Sequence, residues 1–301
     1  QLLLQLASGY RAANAADLAV TSARHAVDLY RRVLPPIDRR LLHARQSLYT
    51  YIFLSRQDAS LLPELQAFMN ECKLILPIND EIISNLTILI VSLQIADEHY
   101  QAARQELDTL IQSDLANPYL PEASRLTAYA WYARCLIGLH LYEDTISFLT
   151  PISEKVRSSG EDSARYAIEL DFKLAEAFYH TGNTPKAHSA LIELIHRSVD
   201  VLGKEHHTTV EIAQSLVLTA QDTDIDPTTL RSVVAVLQAW HDVHGDAADG
   251  TVTLASLLRE WASKRHVDNQ QLQELLVKIP NGTNSVPVSY THLTLPTNRE
   301  V

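Results

Sequence analysis

The residues of this chain with the widest range of possible chemical roles are its thirteen histidines. His241 and His244 lie three residues apart, and Asp246 and Asp249 follow them, so this run could supply a tetrahedral metal site. The same residues also suit the end of a helix, where a cationic imidazole complements the helix dipole. We favour this structural role, and the sequence therefore predicts no metal site and no cofactor.

Nucleophiles and acid–base pairs are the second class of candidates. Cys72 and Cys135 lie sixty-three residues apart and outside any recognisable catalytic motif, which favours buried thiols. Glu169, Glu176 and Glu211 could form an acid–base set, but a repeat pattern places them on one face of successive helices, as solvated carboxylates. The eight glycines fit no nucleotide-phosphate loop. We therefore predict that the protein is not an enzyme.

Charge and composition limit the class of partner. The 301 residues include 36 acidic residues and 25 lysines and arginines, and a net charge of −11 disfavours nucleic acid and anionic membranes as partners. No apolar run reaches the length of a transmembrane helix, and the N-terminal residues lack the features of a signal peptide. Together with the scarcity of cysteine, these features predict a cytoplasmic protein.

A repeat of 42 residues organises the chain. At this offset two columns of aligned positions, seventeen residues apart, are apolar in all seven members. The first column contains Leu6, Leu48, Ile90, Tyr132, Leu174, Leu216 and Leu258. The second column contains Ala23, Leu65, Leu107, Leu149, Leu191, Val233 and Leu275. This agreement predicts repeat units near residues 1–36, 37–78, 79–120, 121–162, 163–204, 205–246 and 247–279.

Each unit has the pattern of two helices. In the fifth unit Leu174 and Phe178 share a helical face, Gly182 marks a turn, and Thr184 is placed to cap a second helix. Asp226 repeats the cap one unit later. Because one helix pair cannot bury its apolar face alone, neighbouring units should stack around a continuous core.

This pattern resembles the tetratricopeptide repeat (TPR) family. The large-small-aromatic run of its first helix appears as Leu6-Ala7-Tyr10 and Leu174-Ala175-Phe178. The small residue of its second helix appears as Ala19, Ala103 and Ala187. The period and the turn Leu202-Gly203-Lys-Glu-His206 are similar to the longer repeats of the kinesin light chain type. Over residues 1–279 the resemblance implies an all-α, right-handed superhelical solenoid of about seven antiparallel helix pairs.

The resemblance also implies a binding surface, because the first helices of this family line a concave groove. The groove positions carried over by the repeat are polar, acidic or aromatic: His43, Asn85, Arg134, Glu169, Glu176, Tyr179, Glu211 and Gln221. This mixture suits a peptide or helix of a partner protein, with basic residues to match the glutamates. The oligomeric state stays open.

Two functions follow from this interpretation. The first is a non-enzymatic protein–protein interaction scaffold or adaptor. The alternative is a sensor or regulatory repeat region of a larger signalling protein, an NTPase or a transcription regulator. In that case the effector domain would be missing from this fragment, which begins with Gln1 rather than Met.

Residues 280–301 differ from the repeats. Pro280–Ser285 is rich in turn-forming residues. Val288–Thr297 resembles one reading frame of a transposase-type sequencing adaptor over ten consecutive codons. We therefore predict a disordered tail over residues 280–301 and interpret it as a translated adaptor from about Pro287. A genuine disordered tail is the alternative.

Overall fold

The structure, a computed structural model, describes residues 2–13, 15–56, 59–116, 118–158, 163–220, 224–245, 248–265 and 270–279. All regular secondary structure in these ranges is helical, which confirms the predicted all-α class. The chain divides into two compact units, one up to Cys135 and the other from Leu136. The predicted tail, residues 280–301, lies outside the described residues.

In the first unit most helices pack against a neighbour along the chain. The helices are α1 Leu2–Ala12, α2 Ala16–Val33, α3 Arg39–Arg56, α4 Leu62–Lys73, α5 Glu81–Ala96, α6 Tyr100–Ala116 and the greater part of α7 Glu122–Gly138, with a 3-10 turn at Ala59–Leu61. Helix α2 contacts α1 and α3, and α5 contacts α3, α4 and α6. Asp80 accepts from the backbone N–H of Ile82 at 2.9 Å and pairs with Arg39, so it joins the starts of α3 and α5.

The second unit contains the end of α7 and the helices that follow it. These helices are α8 Tyr142–Arg157, α9 Ala164–His180, α10 Thr184–Val201, α11 His207–Thr219, α12 Pro227–His244, α13 Asp249–Arg265 and α14 Gln270–Lys278. Helix α9 packs against α8, α10 and α11, while α11 also packs against α10, α12 and α13. Among the described helices, none has the length and apolar character needed to cross a membrane.

Local side chains explain where several helices begin and end. As predicted, Asp226 caps α12, accepting from two backbone N–H groups at 2.9 and 3.1 Å, and His206 caps α11 in the same way at 3.2 Å. Gly182 forms the turn after α9 with a φ of +79°, a conformation that favours glycine. The predicted cap at Thr184 is wrong, because α10 already begins there. Asn183 precedes it and makes no capping side-chain hydrogen bond.

The two apolar columns of the repeat differ in burial. Every member of the second column is buried, and none is more than 3% exposed: Ala23, Leu65, Leu107, Leu149, Leu191, Val233 and Leu275. In the first column Leu216 and Leu258 are fully buried, whereas Leu6 is 46% exposed. Leu6 lies on α1, which packs mainly against α2 and α3.

Gly250 lies against the indole of Trp240, so a larger residue should not fit there. A Cβ at Gly250 would lie 2.6 Å from Trp240 Nε1 and 3.0 Å from Cε2. We expect Gly250→Ala to lower the free energy of unfolding by about 1–2 kcal/mol in chemical denaturation, because the rigid ring must move. The control is Gly9→Ala, whose added Cβ meets no atom within 4 Å and should be neutral or slightly stabilising. Equal stability of the two variants would contradict this packing.

Candidate functional site

A small cavity of about 40 Å³ opens between α9, α10 and α11 of the second unit. Its apolar lining consists of Phe172, Ala175, Leu191 and Leu218. Its polar lining consists of Glu176, Tyr179, His180, Ser215 and Thr219. The lining residues that belong to α9 are spaced one, three or four residues apart, which places them on one helical face. The cavity can therefore hold an apolar group and offer polar contacts beside it.

Glu176 is partly buried and already has a cationic partner. Its Oε2 accepts from Lys173 Nζ at 3.0 Å, one helical turn earlier. The side chains of Lys173 and Glu176 are 9% and 17% exposed. The interpretation of Glu176 as a solvated carboxylate is therefore wrong. The repeat places Glu176 on the correct helical face, but the neighbouring helices bury most of its side chain.

An aromatic stack supports the polar lining at His180. The rings of His180 and Tyr142 are parallel to within 10°, with centroids 4.6 Å apart. The Tyr142 hydroxyl shares a hydrogen bond of 2.7 Å with His140 Nδ1. Burial lowers the pKa of His180, which Glu176 partly offsets, and burial together with Glu176 raises the pKa of Tyr142. At neutral pH both rings are therefore uncharged.

A second histidine orients Thr219 in the polar lining. Thr219 Oγ1 donates to the carbonyl of Leu216 at 3.0 Å, and His188 Nδ1 lies 3.1 Å from the same oxygen. Because the hydroxyl proton is already used, Nδ1–H of His188 is the donor in this contact. Burial lowers the pKa of His188, which keeps the imidazole neutral.

The structure brings two of the predicted groove residues, Glu176 and Tyr179, into this cavity. Glu169 on α9 and Glu211 on α11 are half-buried residues of the same unit, outside the cavity lining. The other described members belong to the first unit: exposed His43 on α3, half-buried Asn85 on α5 and Arg134 on α7. Arg134 is only 4% exposed, which removes it from the accessible surface. Gln221 lies outside the described residues.

His180 is a lining residue that the sequence interpretation missed, although the repeat contains a signal for it. The equivalent positions in the preceding units are small or apolar: Ala12, Leu54, Ala96 and Gly138. A histidine in such a column is an exception that could have identified the site. Ser215 and Thr219 have no comparable signal, since serine and threonine are common on helix faces of either kind.

The histidines first considered as metal ligands have other contacts. His241 Nδ1 lies 3.4 Å from the carboxylate of Asp242, and the His244 ring packs 3.9 Å from the Trp240 ring. Asp246 lies outside the described residues. Within the described part of the chain, no group of three or more His, Cys, Asp or Glu side chains could hold a metal ion.

The two cysteines are buried thiols, as predicted. Burial raises the pKa of Cys72 to about 11 and that of Cys135 to about 12. Both thiols are therefore protonated at neutral pH, whereas a cysteine nucleophile reacts as the thiolate.

Compared with known proteins, the chain matches no protein-family model and no curated protein. The resemblance to tetratricopeptide repeats therefore depends on the residues and spacings of the chain itself.

Proposed function

We propose that the protein is a non-enzymatic interaction scaffold of the tetratricopeptide type that binds a peptide or helix of a partner protein. In this proposal the pairs α9–α10 and α11–α12 are successive repeats of a right-handed solenoid, and the cavity between α9, α10 and α11 lies in its concave groove. The observation that carries the proposal is the cavity itself. It combines an apolar and a polar lining, and it contains the predicted groove residues Glu176 and Tyr179.

The chemistry of the cavity defines the partner. The apolar lining gains free energy by covering an apolar side chain of the peptide. The carboxylate of Glu176, with Glu169 and Glu211 on the same two first helices, favours a basic residue beside that side chain. This charge complementarity selects the partner more than it raises affinity. Because salt screens the charges, binding should weaken as the salt concentration is raised.

The test is a selection of random peptides on the full chain, followed by affinity measurements on the enriched peptides. We expect enriched peptides to carry an apolar residue next to a lysine or arginine. Glu176→Gln should weaken their binding by about tenfold, because a neutral amide replaces the charge-assisted acceptor. Ser215→Phe should abolish binding, because the added ring occupies the cavity.

A matched control separates this effect from a general change in charge. Glu260 on α13 also pairs with a lysine of its own helix, Lys264, at 2.7 Å, but it is exposed and outside the cavity lining. Glu260→Gln should leave peptide affinity unchanged. Enriched peptides that bind Glu176→Gln and Ser215→Phe as tightly as the parent chain would overturn the proposed site.

A further inference from the structure

One of the two carboxylate oxygens of Glu176 is occupied by a lysine of its own helix. Lys173 Nζ donates to Oε2 at 3.0 Å and lies 5.1 Å from the centre of the Phe172 ring. The Lys173 side chain is only 9% exposed. An ammonium group that left this position would lose both the carboxylate and the ring, with little water to replace them. Lys173 therefore holds Oε2 while a partner binds.

The other oxygen, Oε1, remains as an acceptor on Glu176, which is one of the lining residues. It has no hydrogen-bond partner among the described residues. Arginine binds carboxylates best through two parallel N–H···O bonds, which require both oxygens. Lysine carries a compact charge that needs only one oxygen. A carboxylate with one oxygen already occupied therefore favours lysine over arginine.

The size of the cavity limits the neighbouring side chain of the peptide. A volume of about 40 Å³ has room for about three water molecules, at roughly 10–15 Å³ each. A branched aliphatic side chain such as leucine, isoleucine or valine fills such a space. A phenyl or indole ring exceeds it, because the floor at Phe172, Ala175 and Leu191 is buried and closely packed.

We infer that the site recognises a peptide lysine adjacent to a branched aliphatic residue, and that Lys173 sets the preference for lysine over arginine by occupying Oε2 of Glu176. This inference rests on the proposed function of the cavity. It assigns Lys173 as the residue that determines specificity, and Glu176 as the residue that contacts the partner.

The preference is measured with peptides enriched on the full chain, each synthesised with lysine or arginine at its basic position. Fluorescence anisotropy should show that the parent chain binds the lysine form about five- to tenfold more tightly. Phenylalanine in place of the aliphatic residue should weaken binding by at least a similar factor.

Two substitutions of Lys173 separate occupancy of the oxygen from charge. Lys173→Met frees Oε2 and should reverse the preference in favour of arginine. Lys173→Gln removes the same charge but keeps an N–H donor for Oε2, so it should retain the preference for lysine. If both variants change the ratio of the two affinities equally, charge rather than occupancy decides, and the inference is wrong.

The outcomes also distinguish this inference from the proposed function. Peptides that depend on Glu176 but bind equally well in both forms would overturn the lysine preference and leave the binding site intact. Enriched peptides whose affinity is unchanged by Glu176→Gln would overturn both the lysine preference and the proposed binding site. The ratio of the affinities for the lysine and arginine peptides is also measured on the parent chain, without any substitution of Lys173. The inference can therefore be tested even if a Lys173 variant fails to fold.

Discussion

Replacing Leu216 with alanine should lower the free energy of unfolding by about 3 kcal/mol, whereas the same change at Leu6 should cost less than about 1 kcal/mol. The two leucines occupy the same column of the repeat, but Leu216 is fully buried and Leu6 is 46% exposed. Deletion of the buried side chain removes its transfer free energy and leaves a cavity in a core that includes Ile212, Val217 and Leu254. At Leu6 the same deletion removes little transfer free energy and leaves little cavity, because the side chain is already exposed.

Chemical denaturation followed by circular dichroism would measure both losses. The pair is matched in residue type, substitution and repeat register, so only the depth of burial differs. Comparable losses at Leu6 and Leu216 would mean that α1 has packing partners in solution that the described contacts do not include.

Asp171→Ala should destabilise the second unit by about 2–3 kcal/mol, because the buried Asp171 carboxylate accepts hydrogen bonds from a serine and from two partly exposed arginines. Its side chain is 1% exposed, and Oδ2 accepts from Arg157 Nε and from the Arg197 guanidinium, each at 2.8 Å. Ser153 donates to Oδ1. Since these partners lie on α8 and α10, the carboxylate on α9 joins three helices. Its removal leaves the two arginines without their shared acceptor.

Thermal unfolding would measure this loss, with Asp200→Ala on an exposed face of α10 as the control. The control should leave the melting temperature almost unchanged, since exposed charges contribute little to stability. The loss at Asp171 should shrink only in part in high salt, because salt screens the partly exposed arginine charges while the hydrogen bonds to the buried carboxylate remain. A loss that disappears entirely in salt would indicate that the hydrogen bonds to Asp171 contribute little to stability.

The period and the helical pattern of this chain were readable from the order of its residues. The repeat spacing agrees with the helix starts at Ala164, His207 and Asp249, which lie 43 and 42 residues apart. The Asp226 cap and the Gly182 turn were also predictable, because each depends on a few residues in direct succession. The apolar face that carries Leu149 and Leu191 was predictable for the same reason, since helical periodicity decides which residues share a face.

The site required the tertiary structure. Helical periodicity places Glu176 and Arg134 on a face, but it does not state how far a neighbouring helix covers that face. Packing buries Arg134 and leaves Glu176 at a cavity with Lys173 on one of its oxygens. The cavity itself is a gap between α9, α10 and α11, formed by side chains up to 47 positions apart, from Phe172 to Thr219. Its volume depends on distances of a few ångströms between helices, and those distances result from the packing of the whole unit rather than from any local run of residues.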